Sequence, residues 1–255
     1  MKKIFLFFFL FPLLFVSLCY SQSTSTQPGL PLPELNISLR QTDNPSEFTS
    51  TLQVFIILTV LSIAPSFLIM MTSFTRFIVV FAFLRQGLAI PQIPPNQVLA
   101  GLALFLTFFV MAPIIKSINE EALQPYLTSE IGQREAFEKA LSPIRDFMLR
   151  QTRTDDIQLM QRLSGLDSIE SKADLPTHVL IPSFIISELT TAFTIGFLLF
   201  IPFLVIDMVV ASILMAMGML MVPPISISLP FKILLFVLVD GWNLLIYSLV
   251  SGIKG

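Results

Sequence analysis

The chain has 255 residues, of which 54% are hydrophobic and only 13% charged, and its formal net charge is -2. Soluble domains carry about 25% charged residues, so this composition excludes a disordered chain, a disulfide-stapled secreted module and an ordinary cytosolic enzyme. Nucleic-acid binding needs a clustered excess of Lys and Arg, which the near-neutral balance does not offer. Together with a mean hydropathy of +0.82, these features predict an integral membrane protein.

The first 21 residues have the three parts of a secretory signal. Two lysines follow the initiator methionine, residues 4–18 are mostly apolar, and Cys19 and Ser21 place small side chains at the -3 and -1 positions of a cleavage site. Cleavage after Ser21 is expected. The alternatives are a retained first transmembrane helix and a lipid anchor on Cys19, which the large Leu18 disfavours. Cleavage removes the single cysteine of the chain, and with it any disulfide or zinc–thiolate site.

A polar leader and a first apolar hairpin are expected after the signal. Residues 22–50 contain four prolines and no helical periodicity, so they are interpreted as an extended leader outside the cytoplasm. Residues 51–115 are interpreted as a helical hairpin. Its first helix would cover 52–84 with a kink at Pro65, and a Pro-rich turn at 91–95 would lead into a second helix of about one span.

Residues 116–179 differ in composition from the rest of the chain. They hold 19 of its 32 charged residues, eight basic and eleven acidic. Apolar residues recur at helical intervals over 131–148, which predicts an amphipathic helix. The segment is therefore interpreted as a small helical insert outside the bilayer, on the periplasmic side with the leader. Its mixed charge favours a solvated surface and subunit contacts over an enzyme domain.

A second apolar hairpin is predicted over 180–255. Its first helix is interrupted by Pro202 and ends at Pro223 and Pro224, and a further apolar stretch covers 229–250. Hydropathy alone predicts four membrane spans for the two hairpins together. Basic residues near the predicted turn of the first hairpin favour the cytoplasm for that turn, by the positive-inside rule.

Five charged residues lie within the apolar stretches: Arg76, Glu188, Asp207, Lys232 and Asp240. An unpaired charge near the centre of a membrane helix costs about 2.5–3.5 kcal/mol on insertion scales. These groups are therefore expected to be buried against protein or paired. The pair favoured from the sequence is Glu188 with Lys232, between neighbouring subunits. The alternative is a proton relay through the three carboxylates.

Methionines alternate with other residues before the Pro-Pro turn, at Met215, Met217, Met219 and Met221, with Leu220 among them. Methionine is unbranched and polarizable and adapts to irregular neighbours. A ring of such side chains could close a pore and still yield to a passing chain. The other interpretation is that the methionines fill gaps beside the turn, and the residues alone favour neither.

Catalytic and metal-binding motifs are absent from the sequence. It contains no phosphate-binding glycine loop, no Gly-x-Ser-x-Gly and no His-Glu-x-x-His, and its single histidine, His178, lies at the edge of an apolar stretch. No enzymatic activity, cofactor or metal site is therefore expected.

Five separated stretches carry a family likeness: 72–76 (TSFTR), 187–193 (SELTTAF), 201–207 (IPFLVID), 218–224 (GMLMVPP) and 229–242 (LPFKILLFVLVDGW). Together they resemble the FliP family of flagellar export-gate proteins. The resemblance extends from about residue 52 to the C-terminus and is least distinctive over 116–179. It departs from the family pattern at Leu220, where many members have a third methionine.

The resemblance implies a non-enzymatic core subunit of the flagellar type III protein export gate. It implies an all-α fold whose copies form a homo-oligomeric ring, a pentamer in the family, within the bacterial inner membrane at the flagellar basal body. The Q and R gate components would join this ring, the B and A components would adjoin it, and unfolded flagellar proteins would pass through it. Met219 and Met221 would then belong to a flexible constriction.

Rival functions remain at this point. One is a virulence-type secretion homologue of the same gate. Another is a small proton-coupled secondary transporter that uses intramembrane carboxylates. A third is an architectural membrane subunit without a conduit.

Overall fold

The computed structural model describes residues 45–90, 92–165, 174–219 and 221–254. The predicted signal (1–21) and most of the predicted leader lie outside the described residues. The helices are α1 (Pro45–Met70), α2 (Phe74–Gly87), α3 (Asn96–Ile118), α4 (Gln124–Leu127), α5 (Gln133–Gln151), α6 (Thr154–Leu163), α7 (Thr177–Ala216), α8 (Pro224–Leu238) and α9 (Gly241–Lys254). A π-helical turn, Asn119–Leu123, joins α3 to α4. The all-α prediction is confirmed, since none of the described residues lies in a strand.

The prediction of one long kinked helix over 52–84 is wrong. Pro65 lies inside the continuous helix α1. The helix is interrupted instead at 71–73, between the end of α1 and the start of α2. The hydroxyl of Thr72 donates to the carbonyl of Ile69 at 3.0 Å and accepts the Phe74 N–H at 3.5 Å. Such local bonds offer the backbone an alternative to the helix ladder. The break allows α2 to take its own direction and to bury one face in the core.

The core is centred on α2, which packs most extensively against α7. Phe77, Val80, Phe81 and Leu84 of α2 are buried. Helix α3 covers α2 as its hairpin partner, while α5, α6 and α8 also contact α7. The amphipathic helix predicted over 131–148 corresponds to α5, whose Phe147 and Met148 are buried against the same core.

Helices α2 and α7 run parallel, and α8 returns antiparallel to α7. The rings of Phe83 and Phe193 lie 5.3 Å apart, and further along both helices Gly87 lies against Phe203. The same Phe203 ring also lies 6.5 Å, between ring centres, from Phe236 of α8. Helices α2 and α7, which are far apart in sequence, therefore form the central pair. Helix α3 packs against α2, and helix α8 packs against α7.

Fewer spans are found than the four predicted. Among the described residues, two helices are long and apolar enough to cross a membrane: the continuous stretch 96–127 and the 40-residue α7. The pair α8 and α9 counts as a third only if it is one span bent by 61°. The bend falls at Asp240, which has φ 50°, a left-handed conformation that Asp tolerates better than most residues. Hydropathy measures composition and does not detect such breaks.

Candidate functional site

The first candidate feature is a buried ion pair between α2 and α7. Arg76, in the first turn of α2, donates from Nε to Glu188 Oε2 at 2.9 Å, and its Nη2 contacts Oε1 of the same carboxylate. The two side chains are only 5% and 1% exposed. This two-point geometry matches the planar guanidinium to the carboxylate, and it satisfies both carboxylate oxygens within an apolar core.

Gln151, at the end of α5, completes the surroundings of this pair. Its Oε1 accepts a second bond from Arg76 Nη2 at 3.0 Å, and its Nε2 donates to the carbonyl of Ile253 at 3.0 Å. Next to Glu188 in sequence, the hydroxyl of Ser187 accepts the Arg153 N–H at 2.9 Å. The junction between α5 and α6 is thereby attached to α2, α7 and α9.

A second ion pair lies further along α7. Lys232 Nζ of α8 contacts Asp207 Oδ2 at 2.6 Å and donates to the carbonyl of Gly87 at 3.1 Å. The hydroxyl of Ser228 donates to Asp207 Oδ1 at 2.5 Å. Lys232 is 2% exposed and the Asp207 side chain 32% exposed. This cluster joins the end of α2 to both helices of the second hairpin.

The predicted pairing of Glu188 with Lys232 is wrong, because each has another partner within the chain. Glu188 and Asp207 are separated by about 28 Å along α7, at 1.5 Å per residue. A proton relay between these two carboxylates would have to bridge that distance. Asp240, which the sequence places among the buried charges, is exposed at the bend between α8 and α9.

The methionines lie at the far end of the second hairpin. Met215 is in the last turn of α7, and Met217, Met219 and Met221 belong to the connection 217–223, here called the Met loop. Gly218 has φ 75°, a conformation that favours glycine, and it lets the Met219 N–H return to the carbonyl of Leu214 at 3.0 Å.

Every described methionine of this set is exposed, and Met221 is 97% exposed. Leu220 lies outside the described residues. Pro223 caps α8 and Pro224 is its first residue, so the Pro-Pro step ends the Met loop. Since α7 continues for 13 residues beyond Phe203, the Met loop lies about 20 Å past the level at which α2 ends.

A family model described as the FliP family matches residues 57–249. The chain belongs to the FliP family. It is 54% identical over 215 residues to a flagellar biosynthetic protein FliP of Bacillus subtilis (strain 168), covering 84% of this chain and 97% of that relative. It is 44% identical over 254 residues to the protein of that name from Borreliella burgdorferi, covering 98% and 99%. The protein of that name from Aquifex aeolicus is 52% identical over 202 residues.

The part of the chain that matches the FliP family contains both ion pairs and the whole Met loop. Of these residues, Gln151 and Ser228 were not singled out from the sequence, and no motif marks them. A glutamine at the end of an amphipathic helix and a serine in an apolar helix are common, and only the fold brings them to a charge. Within the described ranges, no group of three or more His, Cys, Asp and Glu residues could hold a metal ion.

Replacing Lys232 with methionine is expected to destabilise this FliP-family chain by roughly 1–3 kcal/mol, because it leaves the partly buried Asp207 carboxylate without its cation. Thermal unfolding of the detergent-purified chain measures the change. Lys139→Met is the matched control, since Lys139 pairs with Glu135 on the exposed face of α5. Equal effects of the two substitutions would show that the contacts around Lys232 do not stabilise the fold.

Proposed function

We propose that this chain is a core, pore-forming subunit of the flagellar type III protein export gate in the bacterial inner membrane. Sister copies surround a path for unfolded flagellar proteins, and the Met loop narrows that path at rest. The observation that carries the proposal is the exposed Met loop at the tip of a helix of 40 residues. At 1.5 Å per residue, this helix is about 60 Å long, twice the hydrocarbon thickness of a bilayer.

The distribution of exposed apolar surface supports assembly with other subunits. The described side chains of α1 from Leu52 to Ile63 are all exposed, and so are large apolar residues of α7, including Phe193, Phe197 and Met208. Apolar surfaces of this extent are covered by lipid or by protein. In the proposed gate, sister copies and the Q and R components cover most of them, while the B and A components adjoin the cytoplasmic side. The charged insert lies on the extracytoplasmic side.

Methionine suits a seal that must reopen. Its three rotatable bonds and polarizable sulfur allow close contact with different neighbours at little cost in strain. The loop turns at Gly218 and ends at Pro223, between α7 and α8, and the ion pair of Asp207 with Lys232 joins these two helices. The proposal therefore assigns closure to Met217, Met219 and Met221, with Leu220 as an apolar member of the same loop.

The proton-coupled transporter is the weaker candidate. Its carboxylates would need access to water and freedom to change protonation. Glu188 and Asp207 are instead held by Arg76 and Lys232. The flagellar names of the matched relatives favour the flagellar gate over a virulence-type homologue.

Replacing both Met219 and Met221 with alanine is expected to make the assembled gate leak small ions severalfold more than the unmodified gate. Alanine removes most of the side-chain volume that would close the path. Conductance is measured in lipid bilayers with the complex purified together with its membrane partners, and export is followed by swimming motility.

The matched control replaces Met70, an exposed methionine of α1 outside the Met loop, with alanine. Unchanged conductance and unchanged export in the Met219/Met221 variant contradict the sealing role. A leak of equal size in the control shows that loss of methionine in general, and not the loop, opens the complex.

A further inference from the structure

The junction between α5 and α6 contacts three other helices through few atoms. The carbonyl of Gln151 accepts a bond from the Ser187 hydroxyl at 3.4 Å, and the same hydroxyl accepts the Arg153 N–H. Thr152, between them, is buried and bonds back to the Met148 carbonyl at 2.6 Å. This junction belongs to the charged insert, and it is one of the places where the insert meets α7, besides the contact of Phe147 with Phe184.

The side-chain amide of Gln151 uses both of its ends at this junction. Its oxygen accepts from Arg76, and its nitrogen donates to the Ile253 carbonyl, each at 3.0 Å. Ile253 lies in the last turn of α9, where carbonyl groups have no donor within their own helix. The bond from Gln151 therefore supplies a C-terminal cap to a helix that follows it by about 100 residues in sequence.

We infer that Gln151 is a coupling residue: it fixes the end of α9 and the α5–α6 junction of the insert to the buried Arg76–Glu188 pair. The insert and the final helix thereby keep a fixed position relative to each other. A neutral amide is required for this role. It accepts from a guanidinium and donates to a carbonyl at once, which a carboxylate or an apolar side chain of the same length does not do. The inference stands independently of whether the chain conducts proteins.

Two substitutions separate the two ends of the amide. Gln151→Glu keeps an acceptor for Arg76 and removes the donor to Ile253, while Gln151→Met removes both. Gln158→Met, at an exposed glutamine of the same insert, is the matched control. The measurement is amide hydrogen exchange of the full-length chain in detergent, compared over residues 249–254, 241–246, 184–192 and 74–87.

Both Gln151 variants are expected to speed exchange at 249–254 by roughly three- to tenfold, the equivalent of one lost hydrogen bond. The control is expected to change nothing there. In Gln151→Glu, exchange at 74–87 and 184–192 stays at the unmodified rate, because the Arg76 contact is kept. If that variant does not accumulate, Gln151→Met decides by its exchange at 249–254 compared with 241–246, because it also removes the acceptor for Arg76.

Unchanged exchange at 249–254 overturns the inference in either variant, and in Gln151→Glu so does an equal rise over 184–192, which would indicate general loosening. A reverse experiment removes residues 253–255. Exchange at 148–153 is then expected to rise, and adding Gln151→Met to the shortened chain is expected to give no further rise at α9. A shortened chain with unchanged exchange at 148–153 overturns the coupling from the other side.

Discussion

Replacing Glu188 with alanine is expected to lower the free energy of unfolding by about 3–5 kcal/mol, because it leaves the Arg76 guanidinium buried with no anion. The Gln151 amide oxygen is the one remaining partner that the structure gives to its Nη2, and it carries no charge. Since whole domains are stable by only about 5–15 kcal/mol, we expect little folded protein to accumulate. The thermal midpoint of the detergent-purified chain and its steady-state level in membranes measure the effect.

Glu120→Ala is the control for this substitution, since Glu120 pairs with Lys116 on the surface, where the side chains are 60% and 73% exposed. Exposed ion pairs contribute little to stability, so a small change in the free energy of unfolding is expected for Glu120→Ala. Exchanging the charges, with Arg76→Glu and Glu188→Arg together, is expected to recover part of the loss of either single change. A double variant no more stable than the single ones would show that direct pairing is not what stabilises this site.

Replacing Gly196 with valine is expected to separate α2 from α7 and to destabilise the chain by roughly 1–3 kcal/mol, the usual cost of overpacking. Even a single Cβ at this position would lie 2.5 Å from Cδ2 and 2.9 Å from Cβ of Phe83. The Phe83 ring could rotate away, but its Cβ is fixed to the backbone of α2. Small residues at such crossings let membrane helices approach closely.

Gly101→Val is the matched control, because a Cβ at Gly101 of α3 meets nothing within 4 Å. Both glycines lie inside helices, so the change in helix propensity is the same in the two variants. Thermal unfolding in detergent is expected to show a clear loss for Gly196→Val and little change for Gly101→Val. Similar losses at both positions would mean that helix propensity, and not contact with Phe83, determines the result.

Hydropathy and periodicity were sufficient to predict the kind of structure. The apolar stretches are helices and the insert contains an amphipathic helix, but α7 ends at Ala216, before the Pro-Pro step at 223–224 where its end was predicted. The burial of Arg76, Glu188 and Lys232 also follows from the cost of a lone charge in an apolar helix. These properties depend on residues close in sequence or on composition, which is why they could be predicted.

The partners of the charges could not be predicted in the same way. Glu188 and Lys232 lie at similar depths in their apolar helices, which favoured pairing them between neighbouring subunits. The largest contact instead joins α2 and α7 in parallel, and residues 112 apart in sequence form the pair. Likewise, the breaks at Thr72 and Asp240 depend on hydrogen bonds and on packing of Phe236 and Trp242, which lie 5.7 Å apart.

The parallel pairing of α2 and α7 has a consequence for biosynthesis. Arg76 leaves the ribosome 112 residues before Glu188. At a synthesis rate of about 5–20 residues per second, Glu188 is added roughly 6–22 s after Arg76. During that interval, entry of α2 into the hydrocarbon region would cost the free energy of burying an unpaired Arg76 cation. The nascent first hairpin must therefore be held by the insertion machinery, by water or by lipid head groups until the seventh helix has been translated.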